Sequence, residues 1–140
     1  MILLDTNVVS ELRKAHRADP KLRAWADAQV PATLFLSVIT ILELEIGVGL
    51  MERRDIRQGA ALRRWLENKV LPAFDGRILA FDTPAARRCA PLHVPDRRPD
   101  RDAMLAATAL AHGLSVATRN VADFRGIAVT VIDPWRDATV

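Results

Sequence analysis

Met1-Ile2-Leu3-Leu4-Asp5-Thr6-Asn7 decides how the rest of the chain is read. Three apolar residues followed abruptly by Asp-Thr-Asn describe a short buried strand running into a polar turn. An unbroken apolar run marks a strand covered on both faces, hence a parallel sheet between layers of helices. In such sheets ligands bind beyond the carboxyl ends of the strands, where Asp5 falls. An Asp at that place is also ordinary turn and helix-cap chemistry. The functional reading therefore depends on whether other acids reach the same edge.

Working outward, the alternation continues. A short helix is expected over 8–13. Asp19-Pro20 supplies a cap and a first-turn proline for a helix over 21–28, with Leu22, Trp25 and Ala26 on one face. Leu34 to Val38 reads as the second strand. A third helix opens at Thr40-Ile41-Leu42-Glu43 and runs to about Arg54. A fourth runs from Ile56 to Leu71, stopped by Pro72. Residues 77–81 form a third strand and Thr83-Pro84 starts a further helix through Cys89. The segment 95–101, rich in proline and charge, is a loop. The run 102–112 is a helix apolar nearly all round, hence buried, with Gly113 past its end. Strands at 115–118 and 129–132 follow, Asp133-Pro134-Trp135 closes the fold, and the last residues are expected to fray. The alternation predicts a three-layer α/β/α protein with a central parallel sheet of four to five strands. At 140 residues the chain is expected to form one domain, 1–140.

The composition excludes some classes. Half the residues are hydrophobic and 26% charged, which is globular composition and not that of a disordered chain. The net charge is +3, and Lys14, Lys21 and Lys69 are the only lysines among 20 basic residues. Such an arginine bias suits a polyanionic partner, since the guanidinium forks onto phosphate. The single cysteine, Cys89, excludes an intrachain disulfide or a CxxC metal site and suits the cytoplasm. A strand beginning at residue 2 without a charged leader predicts no signal peptide. The apolar stretch 34–51 carries Glu43 and Glu45, which are expensive in a bilayer, so no membrane association is expected.

In the predicted layering, Asp5 follows strand one and Glu43 lies early in the helix after strand two. Asp102 starts the helix before strand four, and Asn120 and Asp123 follow that strand. Each has an ordinary structural reading. Thr40-x-x-Glu43 matches a capping box, Asp102 sits where a carboxylate suits a helix N-terminus, and Asp123 suits a turn. Together they would crowd one edge with like charges that raise one another's pKa unless a cation sits among them. Oxygen ligands without His or Cys point to Mg²⁺, with Mn²⁺ possible, and not to zinc. His16, His93 and His112 have no metal spacing.

These residues carry a resemblance. Leu3-Leu4-Asp5-Thr6-Asn7-Val8, Ser37 to Gly47 around Glu43, Asp102 to His112, Thr118-Arg119-Asn120 with Asp123-Phe124, and Asp133-Pro134-Trp135 together resemble a PIN domain of the VapC toxin type, near its FitB-like branch. The resemblance implies a PIN-like fold and a Mg²⁺-dependent toxin ribonuclease of a type II toxin–antitoxin pair. It implies an acidic triad of Asp5, Glu43 and Asp102, with Asp5 and Asp102 as the principal metal ligands. Thr6, Asn7 and Thr118 would line the pocket. Some relatives carry an acid where this chain has Asn120, so Asp123 becomes the candidate for the missing charge, reached if the turn after Thr118 coils helically. Glu43 would orient or deprotonate the attacking water. Arg119, with Arg97, Arg98 and Arg101, are RNA-binding candidates. A VapB/FitA-like DNA-binding antitoxin and a homodimer built on the third and fourth helices are implied partners.

Two other classes compete. One is a non-catalytic PIN-like binding module that acts mainly through its antitoxin. The other is a phosphatase or receiver domain. A haloacid-dehalogenase-type phosphatase needs a second Asp where this chain has Asn7, and both latter classes rely on a late lysine. No lysine follows Lys69.

Overall fold

The computed structural model describes residues 1–136. Its centre is a parallel sheet of five short strands in the order β3-β2-β1-β4-β5. These are β1 (Ile2–Leu4), β2 (Leu34–Ser37), β3 (Ile78–Leu79), β4 (Ser115–Ala117) and β5 (Val131–Ile132). Leu4 of β1 is in register with Ala117 of β4. The chain adds β2 and β3 on one side of β1, and β4 and β5 on the other. The sheet's topological switch point thus lies between β1 and β4, where a crevice opens at the carboxyl ends.

The strand pleat explains the layers. Successive side chains alternate faces, so Leu3 and Val116 enter one core while Leu4 and Ala117 enter the other. The Leu4 side is covered by α1 (Thr6–Leu12), α2 (Pro20–Asp27), α3 (Val38–Arg54) and α4 (Ile56–Trp65), which contribute Val8, Leu22, Trp25, Leu44, Val48 and the partly buried Leu62 and Trp65. The Leu3 side is covered by α7 (Asp100–His112) through Leu105, Ala106 and Ala109. Between them in sequence lie α5 (Leu71–Ala73) and α6 (Thr83–Cys89). Cys89 of α6 packs on Ala103 and Ala107 of α7, whose small side chains let the two helices approach. Leu3, Leu22 and Leu36 are wholly buried, each worth about 1.5–3 kcal/mol of transfer free energy. Gly59 of α4 lies against α3, and a Cβ there would stand 2.5 Å from the Glu52 backbone. Arg63 of α4 then reaches back to Glu45 at 2.7 Å and Glu52 at 3.0 Å.

Several expected boundaries are corrected. The first helix starts at Thr6, because Asp5 itself is the cap. Pro72 does not stop the helical run. A π-turn over Leu66–Val70 widens the ladder, with the Leu71 N–H reaching Leu66 O, and Pro72 falls in the first turn of α5, where its missing N–H is not needed. The third strand shortens to Ile78–Leu79 and the fifth to Val131–Ile132. Asp100 and Arg101, expected in a loop, already belong to α7. The expected fraying falls largely on 137–140, outside the described residues. No helix among the described residues is long and apolar enough to cross a membrane.

Candidate active site

Asp5 ends β1 and caps α1, and its two carboxylate oxygens divide the work. Oδ1 accepts the Thr6 N–H at 2.8 Å, which is the cap. Oδ2 accepts the Thr118 hydroxyl at 2.7 Å and the Asn7 side-chain N–H at 3.3 Å. The structural and site readings of Asp5 are therefore compatible. Thr118, directly after β4, is wholly buried. Its oxygen donates to Asp5 and accepts from Asn7 Nδ2 at 3.3 Å and from the Asn120 N–H at 3.0 Å. One donor and two acceptor positions are the full capacity of a hydroxyl. Asn7 Oδ1 in turn accepts the Arg119 N–H at 3.2 Å. The ends of β1 and β4 are thus laced together at the switch point.

The network yields a stability prediction. Thr118→Val takes a hydroxyl donor from the buried Asp5 carboxylate, and the expected loss is about 1–3 kcal/mol. A urea unfolding midpoint equal to wild type, at equal slope, would contradict this.

Glu43 arrives differently from expectation. The capping box is not formed: β2 ends at Ser37, whose Oγ accepts the Ile39 N–H at 3.0 Å, so the helix begins at Val38. Thr40 is left inside α3, wholly buried, donating to Leu4 O at 3.5 Å. This frees Glu43 for the crevice. Its Oε1 accepts the Thr6 hydroxyl at 2.7 Å, and its Oε2 lies 3.6 Å from Arg101 Nη1. Asp102, in the first turn of α7, is partly buried on the same edge.

The carboxylates feel one another. Burial raises the Asp5 pKa above its ordinary value. The Thr118 and Thr6 hydrogen bonds oppose that rise, while Glu43 and Asp123 add to it. Asp102 is also raised, first by burial, then by repulsion from Asp123, Asp5 and Glu43, with Arg101 partly offsetting. The four acids therefore share one field. Among the described residues no three acidic, His or Cys side chains stand close enough to ligate one ion directly. The donor chemistry still fits Mg²⁺, which commonly takes one or two carboxylates and completes its shell with water. Asp5 and Asp102 are the pair that would hold it.

The remaining candidates separate. Residues 121–124 form a single 3₁₀ turn, with Asp123 exposed but within electrostatic range of Asp5 and Asp102. Arg101 is at the acids. Arg119 turns its guanidinium over the Trp135 ring, 5.4 Å from the centroid. Arg97 pairs with Asp100 at 3.5 Å. Arg98 is partly buried and donates to Leu92 O at 3.1 Å, tying down the loop before α7. Sequence reasoning missed a cavity beside Asp123 that Arg125, Asp133 and Arg136 help to line. No spacing signals it, because a turn and a chain end meet there only in space.

A carboxylate cluster at the switch point of a five-stranded parallel sheet, framed by buried hydroxyls, defines an acid-site α/β protein suited to a hard cation. Residues 2–129 match the PIN domain, and the chain belongs to the PIN-domain family. It is 44% identical over 146 residues to the VapC ribonuclease Y4jK of Sinorhizobium fredii (strain NBRC 101917 / NGR234), covering 99% of this chain and all of that one. The crystal structure of FitAcB from Neisseria gonorrhoeae superposes with a TM-score of 0.88 at 37% identity, covering 98% of this chain and 100% of that chain. A toxin–antitoxin complex from Klebsiella pneumoniae gives a TM-score of 0.71 at 27% identity, with 98% and 100% coverage.

Proposed function

We propose that this chain is a divalent-metal-dependent endoribonuclease, acting as one domain in the cytoplasm as the toxin of a type II toxin–antitoxin pair. The observation that carries the reading is the convergence of Asp5, Glu43 and Asp102 at the switch point, with Asp5 and Asp102 each raised first by burial and then by repulsion from neighbouring acids, Glu43 and Asp123 among them. A like-charged group so arranged is relieved by a cation. Similarity to a VapC ribonuclease over nearly the whole chain supports RNA as substrate.

In this mechanism Asp5 and Asp102 would hold the metal. When bound, Mg²⁺ supplies Lewis acidity at the scissile phosphate and lowers the pKa of a water. Thr118, Asn7 and the Thr6 N–H fix the Asp5 carboxylate so that its orientation costs little on binding. Glu43, held at Oε1 by Thr6, orients the attacking water and takes its proton at Oε2. Arg101 meets the substrate phosphate after leaving Glu43. Incubating purified chain with single-stranded RNA and Mg²⁺ tests the reading, and no metal-dependent cleavage would overturn it.

Asp123 supplies a fourth charge through a bound water that Asn120 orients. The 3₁₀ turn and the repulsion Asp123 exerts on Asp5 and Asp102 support this. In a Mg²⁺ titration of cleavage, Asp123→Asn should shift the requirement upward by more than Asn120→Ala does. Equal, wild-type-like titrations would leave Asp5, Glu43 and Asp102 as the whole site.

The partner is a small DNA-binding antitoxin whose C-terminal segment places an arginine among the acids, displacing metal. Similarity to a toxin–antitoxin complex supports it. A homodimer through α3 and α4 is supported by Leu42, Ile46 and Leu50, a stripe along α3 that is 49%, 43% and 66% exposed. Non-toxic, monomeric behaviour of the chain expressed alone would count against both assemblies.

A further inference from the structure

The cavity beside Asp123 lies at the same carboxyl edge of the sheet as the acids. Arg119 and Asn120 follow β4, Asp133 follows β5, and Arg125 and Arg136 complete the basic lining. It is continuous with the acid site through two short links. The Arg119 N–H donates to Asn7 Oδ1 at 3.2 Å, and Asn7 Nδ2 donates to Asp5 Oδ2 at 3.3 Å.

The charges in the cavity are unequally committed. Asp133 accepts the Trp135 N–H at 3.0 Å and lies 3.6 Å from Arg136, so its charge is largely answered. Asp123 also lines the cavity, so three arginines face two carboxylates there. Among the described residues neither Arg119 nor Arg125 makes an ion pair, and Arg136 is 86% exposed in its side chain. The Arg119 guanidinium lies over the Trp135 ring, 5.4 Å from its centroid, a cation–π contact that restrains the side chain. An attraction to a ring face does not use up the guanidinium's N–H donors, which remain for an oxyanion. Together the three arginines form a donor array for oxyanions beside the acids that would cut a phosphodiester.

We propose that this cavity is a phosphate subsite, in which Arg119, Arg125 and Arg136 hold the backbone of a single-stranded RNA on one side of the scissile bond. The proposal rests on the ribonuclease reading and extends it to how the strand is gripped. It separates two roles: the acids act on the bond, and these arginines act on affinity.

The test uses the full chain carrying Asp5→Asn, so that RNA is bound but not cut. Binding of a fluorescein-labelled single-stranded RNA of mixed sequence is followed across a salt series. Adding Arg125→Gln and Arg136→Gln should weaken binding by about tenfold. It should also shrink the slope of log affinity against log salt by about 1.4, roughly 0.7 for each lost phosphate contact. Arg125→Gln alone should shift both in the same direction, which guards against a folding defect from freeing Asp133. The control pair Arg57→Gln and Arg64→Gln, on the exposed face of α4, should change neither. With Asp5 intact, Arg125→Gln should raise KM and leave kcat within about twofold. Affinity and slope equal to the parent's, an equal loss in the control pair, or a fall in kcat at constant KM would each overturn the subsite. So would a parent that binds no RNA. If the unmutated chain cuts no RNA while binding depends on Arg125, the nuclease reading falls and the subsite stands. If the chain cuts RNA while binding is indifferent to these arginines, the subsite falls and the nuclease reading stands.

Discussion

Asp102→Asn is expected to lower RNA cleavage by well over the roughly 10–100-fold typical of losing an outer-shell partner of a metal site. Asp5→Asn should do the same. The fold should survive both. Asp102 is held above its ordinary pKa by burial and by three neighbouring acids, so its charge opposes folding of the metal-free protein. Neutralising it should leave metal-free stability unchanged or raised, and should abolish the rise in Tm that Mg²⁺ gives the wild type. The pH dependence has a defined sign. A carboxyl whose folded pKa is raised favours folding most when protonated, and that contribution is lost as pH rises through the folded value. The stability advantage of Asp102→Asn should therefore be present at neutral pH. It should vanish as pH falls from the raised folded value toward the ordinary 3.8, where the wild-type carboxyl is itself neutral. Thermal melts of both proteins without metal from acid to neutral pH read this directly. An advantage that grew on acidification would contradict it. Asp5→Asn is the less clean probe of electrostatics, because it replaces an oxygen that accepts from both Thr118 and Asn7.

Glu43→Gln should separate turnover from metal binding. Gln retains an oxygen for the Thr6 hydroxyl, so side-chain position is preserved. It cannot take a proton from water, and kcat should fall by about 10²–10⁴ while the Mg²⁺ midpoint moves little. The ion pair with Arg101 is lost too, but both partners are partly solvated, Arg101 52% and Glu43 30% exposed, so the stability cost is small. A capping-box penalty is not expected, since Ser37 caps α3. Wild-type kcat in Glu43→Gln would remove Glu43 from the chemistry. A large upward shift of the Mg²⁺ midpoint would make it a ligand.

What the sequence made legible follows from how each signal is encoded. The double-sided burial of β1 is written in Ile2-Leu3-Leu4, because only a covered parallel strand uses such a run. The near-uniform apolar face of 103–110 likewise announces α7 as a core helix. The meeting of Asp5 and Asp102 at one edge comes from topology, which the strand–helix alternation carries. The start of α3 was not legible. Ser37 and Thr40 are both competent caps, and the choice was made by β2 pairing Ser37 with Leu79, a contact remote in sequence. The run through Pro72 was hidden for a similar reason. A proline normally ends a helix, and the π-turn that accommodates it leaves no local mark. Short edge strands such as β3 and β5 keep only the residues that find a partner, so their ends cannot be read from apolar content. The arginines look alike in sequence. Arg98 anchors a loop, Arg101 faces Glu43 and Arg119 lies over Trp135, and only the fold assigns these places.

If clustered carboxylates at the β1–β4 switch point cut RNA with a bound divalent metal, cleavage must follow both the metal and Asp5. The most direct measurement is end-mapped cleavage of single-stranded RNA by the purified chain in EDTA, after Mg²⁺ is restored, and with Asp5→Asn under the same conditions. The expected result is no cleavage in EDTA, cleavage at defined positions with Mg²⁺, and none by Asp5→Asn at any Mg²⁺ concentration that supports wild type. Cleavage that persists in EDTA, or an Asp5→Asn protein that cuts at the wild-type rate, would contradict it.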